Sequence, residues 1–260
     1  MLPWNIVNLP TTRRLATFAR SIGLLRSFPL EQTLPDEFYG GLALDTARLL
    51  DAITTDVGGP ALAGARVLDV GGGPGYFANE FDSRGAWYIG VEPDAGEMAA
   101  AGLSGFGAVR GDGAHLPFPD DTFDIVYSSN VVEHTPTPWE MGQDMIRVAR
   151  PGGIVVICYT VWLGPFGGHE TGLWQHYVGG EFARDRYTKK HGRPPKNVYG
   201  ESLFDVSCTD GLRWATAAHD AELVAAFPRY HPSWAWWIVR IPVLREFLTS
   251  NLVLVLRKSA

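Results

Sequence analysis

The chain has 260 residues, 46% of them hydrophobic, and a formal net charge of −6. That length suits one α/β domain with additions and a sizeable core, and the acidic balance removes the simplest electrostatic case for a nucleic-acid partner. No apolar run reaches the roughly 18 residues that cross a bilayer, Met1-Leu-Pro-Trp4 lacks a signal-peptide pattern, and Cys158 and Cys208 read as reduced thiols of a cytoplasmic protein.

Residues 11–28 predict an amphipathic basic helix. Leu15, Phe18, Ile22 and Leu25 share one face, Arg13 and Arg20 lie opposite, and Arg14 and Arg26 flank it. Such a helix can lie on an anionic membrane surface, cover a cleft or pack on its own domain, and the sequence leaves these open. Residues 35–54 predict a second helix, ending near Gly58-Gly59-Pro60. Phe38 and Tyr39 on it either line a pocket or pack in the core.

Val67-Leu-Asp-Val70 reads as a buried parallel strand, apolar on both faces. It runs into Gly71-Gly-Gly-Pro-Gly75, where glycine allows a tight turn and a close backbone approach to a ligand. Amide N–H groups at the following helix start would then face an anionic or hydrogen-bonding ligand group. A dinucleotide fingerprint needs a sixth-position glycine, and counting from Gly71 puts Tyr76 there. A dinucleotide-dependent oxidoreductase is thereby disfavoured.

Trp87–Glu92 is a second apolar strand ending in a carboxylate, a residue type that accepts hydrogen bonds from a ribose diol. Further strands fall near 106–110, 123–128 and 153–160, with helices near 75–83, 94–102 and 137–149. This alternation predicts a doubly wound parallel sheet with its ligand at the carboxyl ends of the strands. After Tyr159 the pattern breaks. Residues 161–203 are rich in Gly, Trp, Tyr, His and charge, and too long for an ordinary connection. A helix over 209–218 and strands over 222–230 and 252–256 follow. Between those strands, residues 234–248 combine three tryptophans with aliphatics and two arginines, the composition of an interfacial segment. A dimer surface or local core is the alternative.

The run Asp69, Gly71, Gly73, Gly75 resembles motif I of the class I S-adenosylmethionine (SAM) dependent methyltransferases. Glu92, Asp112 in Ala108–Phe118, the segment Asp120–Asn130 and the turn Arg150-Pro-Gly-Gly153 resemble the later motifs, in order, over residues 65–160. The resemblance implies a mostly parallel seven-stranded Rossmann-like sheet whose last strand lies antiparallel beside the fifth. It implies N-terminal cap helices over 1–60, a SAM-binding domain over 61–260, and a substrate lid at 161–207. Its cofactor is SAM and its product S-adenosylhomocysteine. Asp69, Gly71, Gly72, Gly73, Gly75, Glu92, Pro93, Asp112, Gly113, Ala114, Ser129 and Asn130 are the expected cofactor residues, with Asp112 receiving the adenine amino group; His115 reads only as part of the loop that positions Asp112.

On the acceptor side, Glu133-His134 resembles the Glu-His pair of ubiquinone- and menaquinone-type small-molecule methyltransferases. His134 would serve as a general base oriented by Glu133, or would only help close the SAM pocket or pack beneath the loop. Tyr39, His169, Trp174, His176 and Tyr177 are candidate substrate residues, His169 and His176 also second candidates for the base. No His-Glu-x-x-His spacing and no cysteine pair is present, so no metal is expected. The expected activity is methyl transfer, at oxygen, to a small-molecule, glycan or lipid-like acceptor, with peripheral membrane contact through 11–28 and 234–248. A non-catalytic SAM-binding scaffold is the alternative.

Overall fold

The computed structural model describes residues 8–94, 96 and 107–260. Its strands are β1 (Arg66–Val70), β2 (Trp87–Glu92), β3 (Ala108–Arg110), β4 (Phe123–Ser129), β5 (Ala149–Thr160), β6 (Ala221–Pro228) and β7 (Asn251–Lys258). They form one sheet ordered β3-β2-β1-β4-β5-β7-β6. Pairing is parallel from β3 to β5, while β7 runs antiparallel to both β5 and β6. This is the seven-stranded, mostly parallel Rossmann-like sheet the resemblance implied. The chain reverses from β1 toward β2 on one side and β4 on the other, so the ends of those strands open a crevice.

Alternate residues of each strand feed opposite helical layers. Val67, Ile125, Ile154 and Val156 pack with Ala47, Leu50 and Ile53 of α3 (Pro35–Val57) and Phe81 of α4 (Ala78–Ser83). Leu68, Val126, Val155 and Ile157 pack with Met141 and Met145 of α5 (Pro138–Val148). The helix α3 ends where Gly58 turns left-handed, φ 63°, and donates to the carbonyls of Thr54 and Thr55.

The single helix expected at 11–28 is two. In α1 (Pro10–Leu15) the N–H groups of Thr11 and Thr12 donate to Asp56, and α2 (Phe18–Ser27) restarts with Thr17 as its cap. The break rotates the apolar stripe. Arg20 turns inward onto Asp45 (2.6 and 2.8 Å), while Phe18 is 63% exposed. The ion pair with Asp45 and a hydrogen bond from Arg20 to the Arg229 carbonyl (2.9 Å) thus overrode the hydrophobic pattern.

Residues 161–207 contain a 3₁₀ turn at His169–Thr171, α6 (Gln175–Val178) and α7 (Gly180–His191). Then come α8 (Cys208–Ala217) and, after a 3₁₀ turn at Ser233–Arg240, α9 (Pro242–Leu248). Most of the helix expected at 94–102 lies outside the described residues. Among the described residues no helix is long and apolar enough to cross a membrane. Both cysteines are free and buried.

Candidate functional site at the strand ends

The glycine loop after β1 is held by its backbone. Gly71, Gly73 and Gly75 have φ of 82°, 52° and 84°, a region that side-chain-bearing residues rarely enter. A Cβ on Gly71 would stand 2.3 Å from Val131, so the loop and the turn after β4 touch. The N–H groups of Gly71 and Gly72 donate to Val91 O, and that of Gly73 donates to the Glu92 carboxylate at 3.1 Å. Glu92 also accepts from Asp94 N, so it clasps the loop from the end of β2. Gly73, Pro74, Tyr88, Gly90, Glu92 and Gly107 line a small pocket here.

Asp69 lies beneath the loop, 3% exposed. One of its oxygens accepts from both Tyr88 (2.7 Å) and Tyr127 (2.6 Å). Burial raises its carboxyl to a pKa of about 6, against the two tyrosine hydrogen bonds and with the help of Glu92. Sequence reasoning did not find the two tyrosines, because only the sheet register places β2 and β4 on either side of β1.

The other expected cofactor residues fall around this crevice. Asp112 accepts from Ala114 N and meets His115 at 3.4 Å, so the aspartate shapes its own turn. Gly113 leaves room for Val70 and Met141. The Pro93 carbonyl accepts from Arg110. Ser129 and Asn130 face the last strands: Ser129 Oγ accepts from Arg229 and Asn130 Oδ1 from Asn251. Arg229, fully buried, also donates to Thr46. A single arginine at a strand end carries no sequence motif, and it was missed.

The acceptor side is assembled from distant segments. His134 Nδ1 sits 2.7 Å from Ser202 O, and a carbonyl only accepts, so Nδ1 carries the proton and Nε2 the lone pair. Ser202 therefore orients His134, and Glu133 does not. The Glu133 side chain is 1% exposed and makes its hydrogen bond elsewhere: Oε1 accepts from Thr160 N at 3.0 Å, while Oε2 has no hydrogen-bond partner. The His169 ring lies 5.1 Å from that of His134, nearly perpendicular. His169 itself is left-handed, φ 48°, and its Nδ1 meets Gly167 O. Ligand-capable atoms of Glu133, His134 and His169 all lie within 4.8 Å of one another, a grouping that linear spacing did not reveal.

The remaining candidates diverge. His176 is buried, with Nε2 on Gly164 O, and burial lowers its pKa; it braces its own loop from inside. Trp174 and Tyr177 are exposed, Tyr177 beside Phe247. Tyr39 stacks on Tyr76 next to the glycine loop, and Phe38, Phe28 and Phe166 continue that aromatic line into residues 161–207.

Residues 68–157 match the methyltransferase domain family. Over 248 residues the chain is 59% identical to an uncharacterized methyltransferase of Mycobacterium avium strain 104, with 94% of this chain and 97% of that one covered. A methyltransferase likewise termed uncharacterized, from Mycobacterium marinum, is 57% identical over 247 residues, with 94% and 96% covered. An S-adenosylmethionine dependent methyltransferase structure from Mesorhizobium loti aligns with a TM-score of 0.52 at 17% identity, over 76% of this chain and 93% of that one. The [4+2]-cyclase SpnF aligns with a TM-score of 0.50 at 19% identity, over 82% of each chain. The two structures speak to the fold alone, and a fold does not name a reaction.

Proposed function

Because this chain belongs to the class I SAM-dependent methyltransferases, we propose that its acceptor is a small molecule, glycan or lipid-like compound methylated at oxygen. The observation that carries this reading is His134. Its Nδ1 is fixed by Ser202 O, which leaves the Nε2 lone pair for an acceptor hydroxyl. It follows a turn that packs on Gly71, and so stands beside the loop expected to hold the sulfonium cofactor. SAM supplies a methyl group on a good leaving group; the protein then has to align an acceptor oxygen and exclude water. Residues 161–207 would be the lid that does so, with the aromatic line from Tyr76 to Phe166 along it.

A lipid-like acceptor fits one surface in particular. Ser233 N donates to Ala16 O and Arg13 lies 4.8 Å over Trp236, so the two segments expected to meet a membrane adjoin. Phe18, Leu25, Trp237 and Val243 are exposed there, as is Trp234 at 71%, with Arg14, Arg26 and Arg240 also exposed. Exposed indoles with arginines suit a lipid–water boundary. Trp236 is the exception, stacked on Phe227 in the core.

Calorimetric titration with SAM, S-adenosylhomocysteine and NAD, followed by transfer of labelled methyl to fractionated lipid and small-molecule extracts, tests this reading. Binding of the adenosyl ligands, lost in Glu92→Ala, with label recovered as an ether or ester, is the expected result. Label on nitrogen or carbon would overturn the oxygen assignment.

A further inference from the structure

We propose that Glu133, His134 and His169 form a binding site for a divalent transition-metal cation of the zinc class, joining the turn after β4 to residues 161–207. Three independent features of the side chains point there. Their ligand-capable atoms lie within 4.8 Å of one another. Zinc–ligand distances of about 2.1 Å in tetrahedral geometry separate ligands by roughly 3.4 Å, a spacing of the same order as that within this group.

Second, each side chain has one free coordinating atom and one committed to holding it. His134 Nδ1 meets Ser202 O and His169 Nδ1 meets Gly167 O, which places the lone pair of each ring on Nε2. A backbone carbonyl on the far ring nitrogen is the usual outer support of a metal-bound histidine. Glu133 Oε1 is held by Thr160 N in the same manner.

Third, Glu133 Oε2 is buried without any hydrogen-bond donor. Burying a carboxylate oxygen with no partner is costly, and a cation at this point supplies the missing partner. The left-handed backbone of His169, rarely adopted by a non-glycine residue, brings its ring to the group.

Two nitrogens and one carboxylate favour zinc-class ions over magnesium or calcium, which take oxygen ligands. Three protein ligands leave a fourth position open. The chemical consequence rests on the acceptor-side reading given above. With the cation bound, His134 Nε2 is a ligand and a hydroxyl at the open position is acidified and releases its proton to water; without the cation, the same lone pair takes that proton as described above. The oxygen lone pair then forms the bond to the SAM methyl carbon as the carbon–sulfur bond breaks and its electron pair leaves with S-adenosylhomocysteine.

The test uses the full chain after chelator treatment, titrated with Zn²⁺ against a chromogenic chelator, without acceptor. One Zn²⁺ per chain is expected, weakened at least about tenfold in His169→Asn and in Glu133→Gln, with Mg²⁺ unable to compete. Asparagine tolerates the left-handed backbone at 169, so that variant tests the site even where Glu133→Gln fails to fold. Absence of stoichiometric Zn²⁺ binding, or binding unchanged in His169→Asn, would overturn the proposal. So would loss of binding in the exposed-histidine control His219→Ala. SAM titration of the same samples stands apart: SAM binding without zinc binding sinks the cation site alone, and zinc binding without methyl transfer to oxygen sinks the acceptor reading alone.

Discussion

The cofactor loop and the acceptor side meet where Gly71 abuts Val131, yet they are built differently. The first is local: three left-handed glycines, a strand-end carboxylate and the backbone N–H groups it receives, all within residues 69–94. The second is collected from Glu133, His134, Thr160, His169 and Ser202, joined through carbonyls and peptide N–H groups far apart in the chain. Where backbone conformation makes the site, residue type betrays it. Where side chains converge, only the fold does.

The largest effect expected on this contrast is at the acceptor side. His134→Gln should lower methyl transfer by roughly 10²–10⁴-fold and leave SAM affinity within about twofold, measured by turnover and calorimetry. Equal loss of both would show that the two halves are not separable.

Within the cofactor loop, Gly71→Ala and Gly73→Ala divide strain from collision. Both glycines are left-handed, but only at Gly71 would a Cβ strike Val131, with nothing within 4 Å at Gly73. Gly71→Ala should cost about 1–3 kcal/mol or more and Gly73→Ala about 1–2 kcal/mol. Thermal unfolding monitored alongside SAM titration would reveal equal losses if the contact of loop and turn is immaterial.

Asp69 offers a pH test. Its folded pKa of about 6 exceeds the ordinary 3.8, because burial disfavours the charged form. The folded state therefore holds the proton more tightly, and this contribution is present below pH 3.8 and lost as pH rises through about 6. The total is on the order of 3 kcal/mol at most. Denaturant unfolding between pH 4 and 7 should show the decline, and Asp69→Asn should flatten it; an unchanged slope would remove Asp69 as its source.

The smallest effect concerns the outer surface. Trp234→Ala with Trp237→Ala should reduce co-sedimentation with anionic vesicles severalfold while SAM binding is untouched. Vesicle binding that survives the double substitution would detach the membrane reading from this segment.

Much of the fold was legible. Strands β1, β2 and β4 announce themselves as apolar runs, and α5 is bracketed by Pro138 and Arg150-Pro151. The N-terminal helix misled, because Arg20 found Asp45 and the Arg229 carbonyl inside the protein and left Phe18 outside. Periodicity sees only the hydrophobic contribution, and there an ion pair outweighed it. At the site, His134 was found through its neighbour Glu133, but the partner assigned to it was wrong: its ring is held by Ser202, 68 residues away.

By itself, the sequence determined the class of sheet, the glycine loop and the carboxylate at Glu92, since each depends on conformations or apolar patterns that few residue types satisfy. The tertiary structure alone decided what the buried polar atoms meet: the tyrosine pair on Asp69, the serine and threonine on Arg229, and the convergence of Glu133 with His134 and His169. Hydrogen bonds and coordination act over about 3 Å, and separation along the chain says nothing about which groups come that close.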